Sequence, residues 1–342
     1  MDRPVARIKD SLAMCAISEC DGWLVARRKS LYLHRMDLRQ LRYFLAIVEE
    51  GAFTRAAERL NVAQPALSAH VRKLEADLGV ELLLRTARGV RPTEHGERLA
   101  AHARRILADV ETLRDDIRGA EAAPSGAVAV GIPTTLGRML SVPLALAVRR
   151  ELPDVRLRVA EGLSGHTLEW LQAGELDLAI VFDVAAVPRL TVTPIAQEEL
   201  WVIGPAGDPL MIEAARAGGM PFREAAALPL ILTGPPYGLR GEVERTAAAC
   251  GVALNLILEM DALEHIRLMV EGGAGYTIIS RRVAASGLDD GRLTGAVITD
   301  PTIPRTIHLA HPSDRPLSIA AAAVRRLLTG IVGDLTTDGR WR

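Results

Sequence analysis

Cysteine is scarce in this chain of 342 residues: there are three, Cys15, Cys20 and Cys250. A disulfide framework or a zinc site needs more of them at tighter spacing, so a reducing cytoplasm is the expected location. Long apolar runs are missing as well. None approaches the ~20 residues that cross a bilayer, and Leu12–Ile17 is followed too closely by Glu19 and Asp21 to act as a signal peptide. No membrane partner is expected. The third absence is an excess of basic charge. Lys and Arg number 41 against 42 Asp and Glu, a net charge of −1, so any contact with nucleic acid has to come from a local patch.

Catalytic signatures are also lacking. No Gly-rich fingerprint of dinucleotide-binding spacing follows the apolar run at Val128, and there is no phosphate-loop lysine motif. Gly162-Leu-Ser164-Gly165 misses the nucleophile-elbow spacing by one residue. His308 and His311 fall three apart on an expected strand, which sends them to opposite faces. His95 and His102 share one side of an expected helix but have no third ligand. Neither an enzyme nor a bound metal or cofactor is therefore expected.

What the chain does have is length and apolar content. Hydrophobic residues make up 49%, enough for the about two or three domains that this length suggests. Residues 1–35 have no clear periodicity and end at an internal Met36, just where a well-patterned helix begins. They read as a mis-started or disordered extension, with an ordered extra helix as the alternative.

From Asp37 the pattern sharpens. Leu41, Phe44, Leu45 and Val48 mark one helix face, and Gly51 ends it. Phe53, Ala56, Ala57 and Leu60 mark a short second helix, followed by a tight turn at Asn61-Val62-Ala63. A third helix opens at Gln64-Pro65, where proline's missing N–H costs nothing. Its inward face is expected to be Leu67, Val71, Leu74 and Leu78, closed by Gly79. Val80–Pro92 fits a two-stranded wing with a turn at Arg88-Gly89. A long helix then runs over 94–119. Two seven-spaced series lie along it, Leu99, Ile106, Leu113 and Ala103, Val110, Ile117, a seam roughly 40 Å long. Either a second copy covers that seam or the helix packs on its own domain; a homodimer or tetramer is the preferred reading.

After the linker Glu121–Gly126, strands alternate with helices, the rhythm of βαβ units. Strands are expected at Val128–Ile132, Val155–Ala160, Leu178–Phe182, Leu200–Gly204, Leu230–Leu232, Leu254–Glu259, Tyr276–Ile279 and Thr306–His311. Helices are expected at Leu136–Leu152, Thr167–Ala173, Leu239–Cys250, Ala262–Glu271 and Ile319–Val332. Two similar lobes linked by crossing strands, with a cleft between them, fit this order.

Opposite the apolar stripe of the third helix lie Pro65, Ser68, Ala69, Arg72 and Lys73, with Gln64 at the entry. A helix-turn-helix puts the first turns of such a helix in the major groove. Gln64 suits a bidentate contact with adenine, and Ser68 can bond either kind of base edge. Arg72 and Lys73 sit further along, better placed for phosphates. Arg85, Arg88 and Arg91 have no acid between them and would put positive charge on the wing. Singly each reads as a solvated surface residue; with the helix pattern they read as a DNA-binding surface.

The stretch Phe53-Thr-Arg-Ala-Ala-Glu-Arg-Leu-Asn-Val-Ala-Gln-Pro-Ala-Leu-Ser68, continued by Val71-Arg-Lys-Leu-Glu-Ala-Asp-Leu-Gly79, resembles the signature of the LysR-type transcriptional regulators. Arg85 through Thr93-Glu-His-Gly96 is similar to the family's wing and linker-helix start. Leu83-Leu-Arg85-Thr with Arg88-Gly-Val-Arg-Pro-Thr93 is most similar to its nitrogen-assimilation-control branch. The resemblance is dense over about 60 residues from Met36 and architectural beyond them, to about Leu335.

It implies a winged helix-turn-helix domain at 36–93 (the motif at about 53–72), a linker helix at 94–119, and a periplasmic-binding-protein-like α/β effector domain at 126–335. The first lobe of that domain would hold about 126–197 and 303–335, the second about 198–302. The family's base-contacting positions fall on Gln64, Pro65, Ser68 and Ala69. Ala69 departs from the common arginine or glutamine, and Leu83 stands where phenylalanine is usual.

The family's effector positions match Thr134, Thr135, Ser164 and the loop Thr233-Gly-Pro235-Pro-Tyr237. Thr134 and Thr135 would open a helix whose free N–H groups and dipole favour an anion; plain N-capping is the competing reading. The implied function is a DNA-binding transcriptional regulator that senses a small carboxylate-bearing metabolite. Its expected partners are double-stranded DNA with an interrupted palindrome, the effector, further copies of itself and RNA polymerase. The alternative is a solute-binding protein or enzyme whose N-terminal helices serve only assembly.

Overall fold

The computed structural model describes residues 36–86, 89–118, 123–184, 186–235 and 238–337. The extension 1–35, Arg88 and Tyr237 lie outside the described residues. The chain divides into two compact units after Ala103.

The first unit is built on three helices, α1 (Leu38–Glu50), α2 (Phe53–Leu60) and α3 (Gln64–Leu78). Asp37 starts α1 with a capping box: its carboxylate accepts from Gln40 N at 2.8 Å while Gln40 Oε1 accepts from Asp37 N at 3.0 Å. Gly51 ends the helix in the left-handed region at φ +62°. Leu41, Phe44, Ile47, Ala56, Ala57, Leu67, Val71 and Leu74 form the buried centre. Leu78, expected to face inward with them, is 43% exposed. Among the described residues, the burial of the α3 apolar stripe ends at Leu74, one turn before Leu78.

The hairpin β1 (Leu83–Thr86) and β2 (Gly89–Pro92) forms the wing. Glu75 of α3 accepts from Leu82 N at 2.9 Å, and Val90 N donates to Gly51 O at 2.8 Å. The wing is thus fastened to both ends of the three-helix core. Thr93 caps α4 (Glu94–Arg118) by accepting from Gly96 N at 3.0 Å. A Cβ on Gly96 would lie 2.1 Å from Leu82 O, so only glycine permits this approach. Along the seven-spaced seam, Ala103 is fully buried, whereas Ile106, Leu113 and Ile117 are 39%, 57% and 78% exposed. Its own fold therefore covers part of the seam and leaves the distal half open.

The second unit begins within α4 and contains two lobes. In the first, parallel strands β3 (Gly126–Pro133), β4 (Val155–Gly162) and β5 (Leu178–Phe182) run in the order β4-β3-β5. On one face α5 (Thr134–Glu151) and α12 (Ile319–Thr337) bury Leu136, Leu140, Leu144 and Val148 together with Val324, Leu328 and Val332. On the other, α6 (Ser164–Gln172) packs Leu171 against Ala179, Val181 and Ala310. The part of α4 in this unit is clamped to it by charge. Arg104 lies 3.2 Å from Glu175, and Arg105 donates to Gln172 O at 2.7 Å.

Two strands join the lobes. β6 (Leu190–Pro205) pairs antiparallel with β12 (Pro304–Pro312) over its first part and with β10 (Thr277–Ser280) and β11 (Leu293–Thr299) over its second. β12 also pairs with β5, so the second connection closes the sheet of the first lobe. The second lobe adds α7 (Pro209–Ala217), β7 (Met220–Pro221), α8 (Phe222–Ala227), β8 (Leu230–Leu232), α9 (Gly238–Cys250), β9 (Leu256–Glu259), α10 (Leu263–Glu271) and α11 (Ala285–Asp289). Its core gathers Val202, Met211, Phe222, Ile231, Val243, Ile266 and Ile278. No described helix is long and apolar enough to cross a membrane.

Candidate nucleic-acid interface and ligand cleft

On α3 the side away from the core carries Gln64, Pro65, Ala69, Arg72 and Lys73, all exposed, with Ser68 half-buried among them. Pro65 sits in the first turn, where no hydrogen bond is lost. Arg91 of the wing is exposed on β2. Arg85, at the wing, makes contacts that the sequence did not suggest. Its Nη2 donates to Ser68 Oγ at 3.2 Å, and its guanidinium carbon lies 4.9 Å from the centre of the Phe53 ring. One cation is thus shared between wing, second helix and third helix.

In the second unit the C-terminal ends of β3 and β4 face those of β9 and β10 across a cleft. A cavity of about 990 Å³ lies there, lined on one side by Thr134, Thr135, Arg138, Ser141 and Glu161. Asp261, Leu263, Glu264, Arg281 and Arg282 line the other side. Thr134 Oγ1 donates to Gly162 O at 3.3 Å. Thr135 Oγ1 is buried and makes no hydrogen bond, although nearby backbone N–H groups of α5 remain unpaired in any helix start. Ser141 donates to Glu161 at 2.7 Å. Hydrogen bonding from Arg267, opposed by burial and assisted by the charges of Arg267 and Arg138, holds the Glu264 carboxyl below its usual range.

Ser164 and Pro235 line a different, smaller cavity of about 320 Å³, together with Asp183, Arg245 and Arg305. The expected effector residues are therefore not brought into one cavity. The reason is topological: Thr134 opens α5 on one face of the sheet, whereas Ser164 opens α6 on the other. Ser164 Oγ also accepts from Phe182 N at 3.1 Å, a bond that closes the end of β5. Tyr237 lies outside the described residues.

Several charged residues of the cleft had no local signal. Arg138, Glu161, Arg281 and Arg282 fall in no motif of the sequence. Only the meeting of the lobes assembles them. Among the described residues no three His, Cys, Asp or Glu side chains gather as metal ligands.

The chain's own residues match two family descriptions. Residues 38–97 match the bacterial regulatory helix-turn-helix protein of the lysR family, and 121–331 match the LysR substrate binding domain. This chain belongs to the LysR family of transcriptional regulators. Nitrogen assimilation regulatory protein nac of Klebsiella aerogenes is 30% identical over 308 residues, covering 89% of this chain and 98% of that one. The hydrogen peroxide-inducible genes activator of Haemophilus influenzae is 29% identical, covering 82% and 92%. Among solved structures, a full-length OxyR variant from Pseudomonas aeruginosa superposes with a TM-score of 0.71 at 26% identity, covering 87% of this LysR-family chain and 95% of that one.

The family is one of DNA-binding regulators with an effector-binding domain, not of enzymes. The likeness to the nitrogen-assimilation-control branch, expected from the wing residues, is present along nearly the whole length of the Klebsiella protein. A solute-binding protein or enzyme whose N-terminal helices serve only assembly is thereby set aside.

Proposed function

We propose that α3 of this LysR-family regulator enters the DNA major groove, with Gln64, Pro65, Ser68 and Ala69 at base edges and Arg72, Lys73 and Arg91 on phosphates. Arg88, which lies between β1 and β2 in the sequence, is proposed as a further DNA contact. The reading is supported above all by one observation: an outward polar face on a helix whose opposite face, Leu67, Val71 and Leu74, is fully anchored. Phosphate contacts position such a helix and base contacts specify.

Two copies, or two pairs of copies, would join through the open part of the α4 seam and bind an interrupted palindrome in promoters, in contact with RNA polymerase in the cytoplasm. The effector is a small carboxylate-bearing metabolite held between the lobes. Thr134 and Thr135 at the start of α5 offer hydroxyls and helix-end N–H groups to a carboxylate, and Arg138, Arg281 and Arg282 add positive charge to the same cavity. Ser164 and Pro235 would act from the smaller cavity, and Tyr237 is assigned to the effector by its place in the sequence alone. Ligand bound between the lobes shifts their closure and so the placement of the DNA-binding units.

The test combines two measurements. Gel-shift titration over a range of salt should show affinity falling steeply with salt, and Gln64→Ala with Ser68→Ala should abolish sequence preference while the fold survives. A thermal-shift panel of mono-, di- and tricarboxylates should raise the melting temperature of the parent chain but not of Thr135→Val. Preference unchanged in the double variant, or no shift with any carboxylate, overturns the corresponding half of the reading.

A further inference from the structure

Arg85 stands where a phosphate contact is expected, yet its side chain is committed elsewhere. Its Nη2 donates to Ser68 Oγ at 3.2 Å, and its guanidinium rests 4.9 Å from the Phe53 ring centre. Phe53 is buried, so the stacking platform is fixed by the core. A cation held over an aromatic face is attracted by the ring even at an exposed site. The pose is thus supported from two sides.

The chemistry of the pair is asymmetric. A guanidinium has only donors, whereas a serine hydroxyl has one proton and two lone pairs. Arg85 therefore occupies a lone pair of Ser68 and leaves its proton free. No described residue accepts that proton. The adjacent positive charge also polarises the O–H bond, making the hydroxyl a stronger donor and a poorer acceptor.

In the major groove, purine N7, guanine O6 and thymine O4 accept, while the amino groups of adenine and cytosine donate. A serine alone is indifferent between these. A serine with Arg85 behind it is not.

We propose that Arg85 is a specificity-determining positioning residue: it sets Ser68 as a hydrogen-bond donor, so that the recognition helix selects a base acceptor at the step Ser68 faces. Arg85 acts through Ser68 rather than through a backbone phosphate. This inference rests on the reading that α3 lies in the major groove.

The experiment uses the full chain and duplexes recovered by selection from a random-sequence pool. Parent, Arg85→Met, Arg85→Lys, Ser68→Ala, Gln64→Ala and the double variant Ser68→Ala/Arg85→Met are titrated against the selected duplex and against versions changed at single steps. Methionine keeps contact with Phe53 and removes the donor. Lysine keeps the charge and loses the planar fork.

At one step, Arg85→Met and Arg85→Lys should each lower the preference for an acceptor base by about threefold to tenfold, the net worth of one hydrogen bond. The salt slope should stay as in the parent, and the double variant should lose no more than Ser68→Ala alone. If instead Arg85→Met weakens all duplexes alike and lowers the salt slope by about 0.9, one phosphate's share, while Arg85→Lys is silent, Arg85 is a backbone contact and the inference is overturned. If Gln64→Ala and Ser68→Ala both leave base preference untouched, the groove reading of α3 falls, and this inference with it. Melting temperatures of the variants within a few degrees of the parent confirm that the losses are not unfolding.

Discussion

Arg305 Nη1 lies 3.1 Å from Glu198 Oε1, joining the two strands that connect the lobes across 107 residues of sequence. Both are nearly inaccessible, 3% and 6% exposed. Asp183 approaches Arg305 at 3.5 Å and Arg282 approaches Glu198 at 3.9 Å. Burial pushes the Glu198 carboxyl up, more than Arg305 and Arg282 pull it down. Arg305→Met should therefore cost about 3 kcal/mol or more, because it strands a buried charge. Urea midpoints measure the loss. A carboxyl raised in the fold favours the folded state below its ordinary value and opposes it as pH rises through the raised one. The deficit of Arg305→Met should accordingly shrink as pH is lowered toward the ordinary glutamate range. A deficit independent of pH would contradict this account.

Gly96 offers a sharper test of packing. A methyl there would meet Leu82 O at 2.1 Å and Pro92 Cβ at 3.0 Å. Gly96→Ala should destabilise the first unit by about 1–3 kcal/mol. Gly165→Ala has nothing within 4 Å and lies in a helix, where alanine gains up to about 1 kcal/mol. Equal melting temperatures for the two variants would refute the contrast.

Tyr276 Oη donates to Asp208 at 2.7 Å, tying β10 to the start of α7. Burial first, then this bond and the charge of Asp208, push the phenol up to about 12. Burial works against the Asp208 charge, but bonds from Tyr276, Met211 N and Leu210 N together hold its carboxyl below the usual value. The phenol's stabilising contribution is complete below pH 10 and lost as pH rises through about 12. In an ultraviolet difference titration, Tyr276→Phe should remove a tyrosine ionisation near pH 12, and Asp208→Asn should bring that ionisation to lower pH. A late step that survives in Tyr276→Phe would belong to another residue.

On α4, Leu113 and Ile117 present more than half of their surface to solvent. If a second copy covers them, replacing both with glutamate removes roughly 3–6 kcal/mol of apolar burial from the interface. Sedimentation should then show the assembly weakened by a hundredfold or more. Unchanged assembly would move the interface elsewhere.

The first unit was nearly all legible in the sequence because its signals are local. Caps at Asp37 and Thr93, left-handed turns at Gly51 and Gly79, and a 3.6-residue period need no tertiary knowledge. Where the reading stopped, tertiary context was deciding. Only Leu200–Gly204 of β6 was expected as strand. The preceding residues, Leu190–Glu199, are half-exposed and polar in alternation, and they become a strand through pairing with β12.

The segments α7, α8, β7, α11 and β11 were also missed. A cap at Asp208 and a stop at Gly218 did mark α7, but the apolar pattern of β11 is broken at Gly295, where a Cβ would lie 2.8 Å from the Ile203 side chain. The cleft was legible as hydroxyls at helix starts, and its charges were not. The contact of Arg85 with Ser68 was not legible, since nothing in the linear order brings the two together.

The first lobe opens the effector domain and yet is finished by β12 and α12. While the chain is being synthesised, the second lobe emerges whole and can collapse on Val202, Phe222 and Ile266, whereas Leu140 and Leu144 wait for Val324 and Leu328. The lobe begun earliest matures last. A chain ending ahead of Ile319 would leave Leu140 and Leu144 of α5 without the Val324 and Leu328 that complete their core.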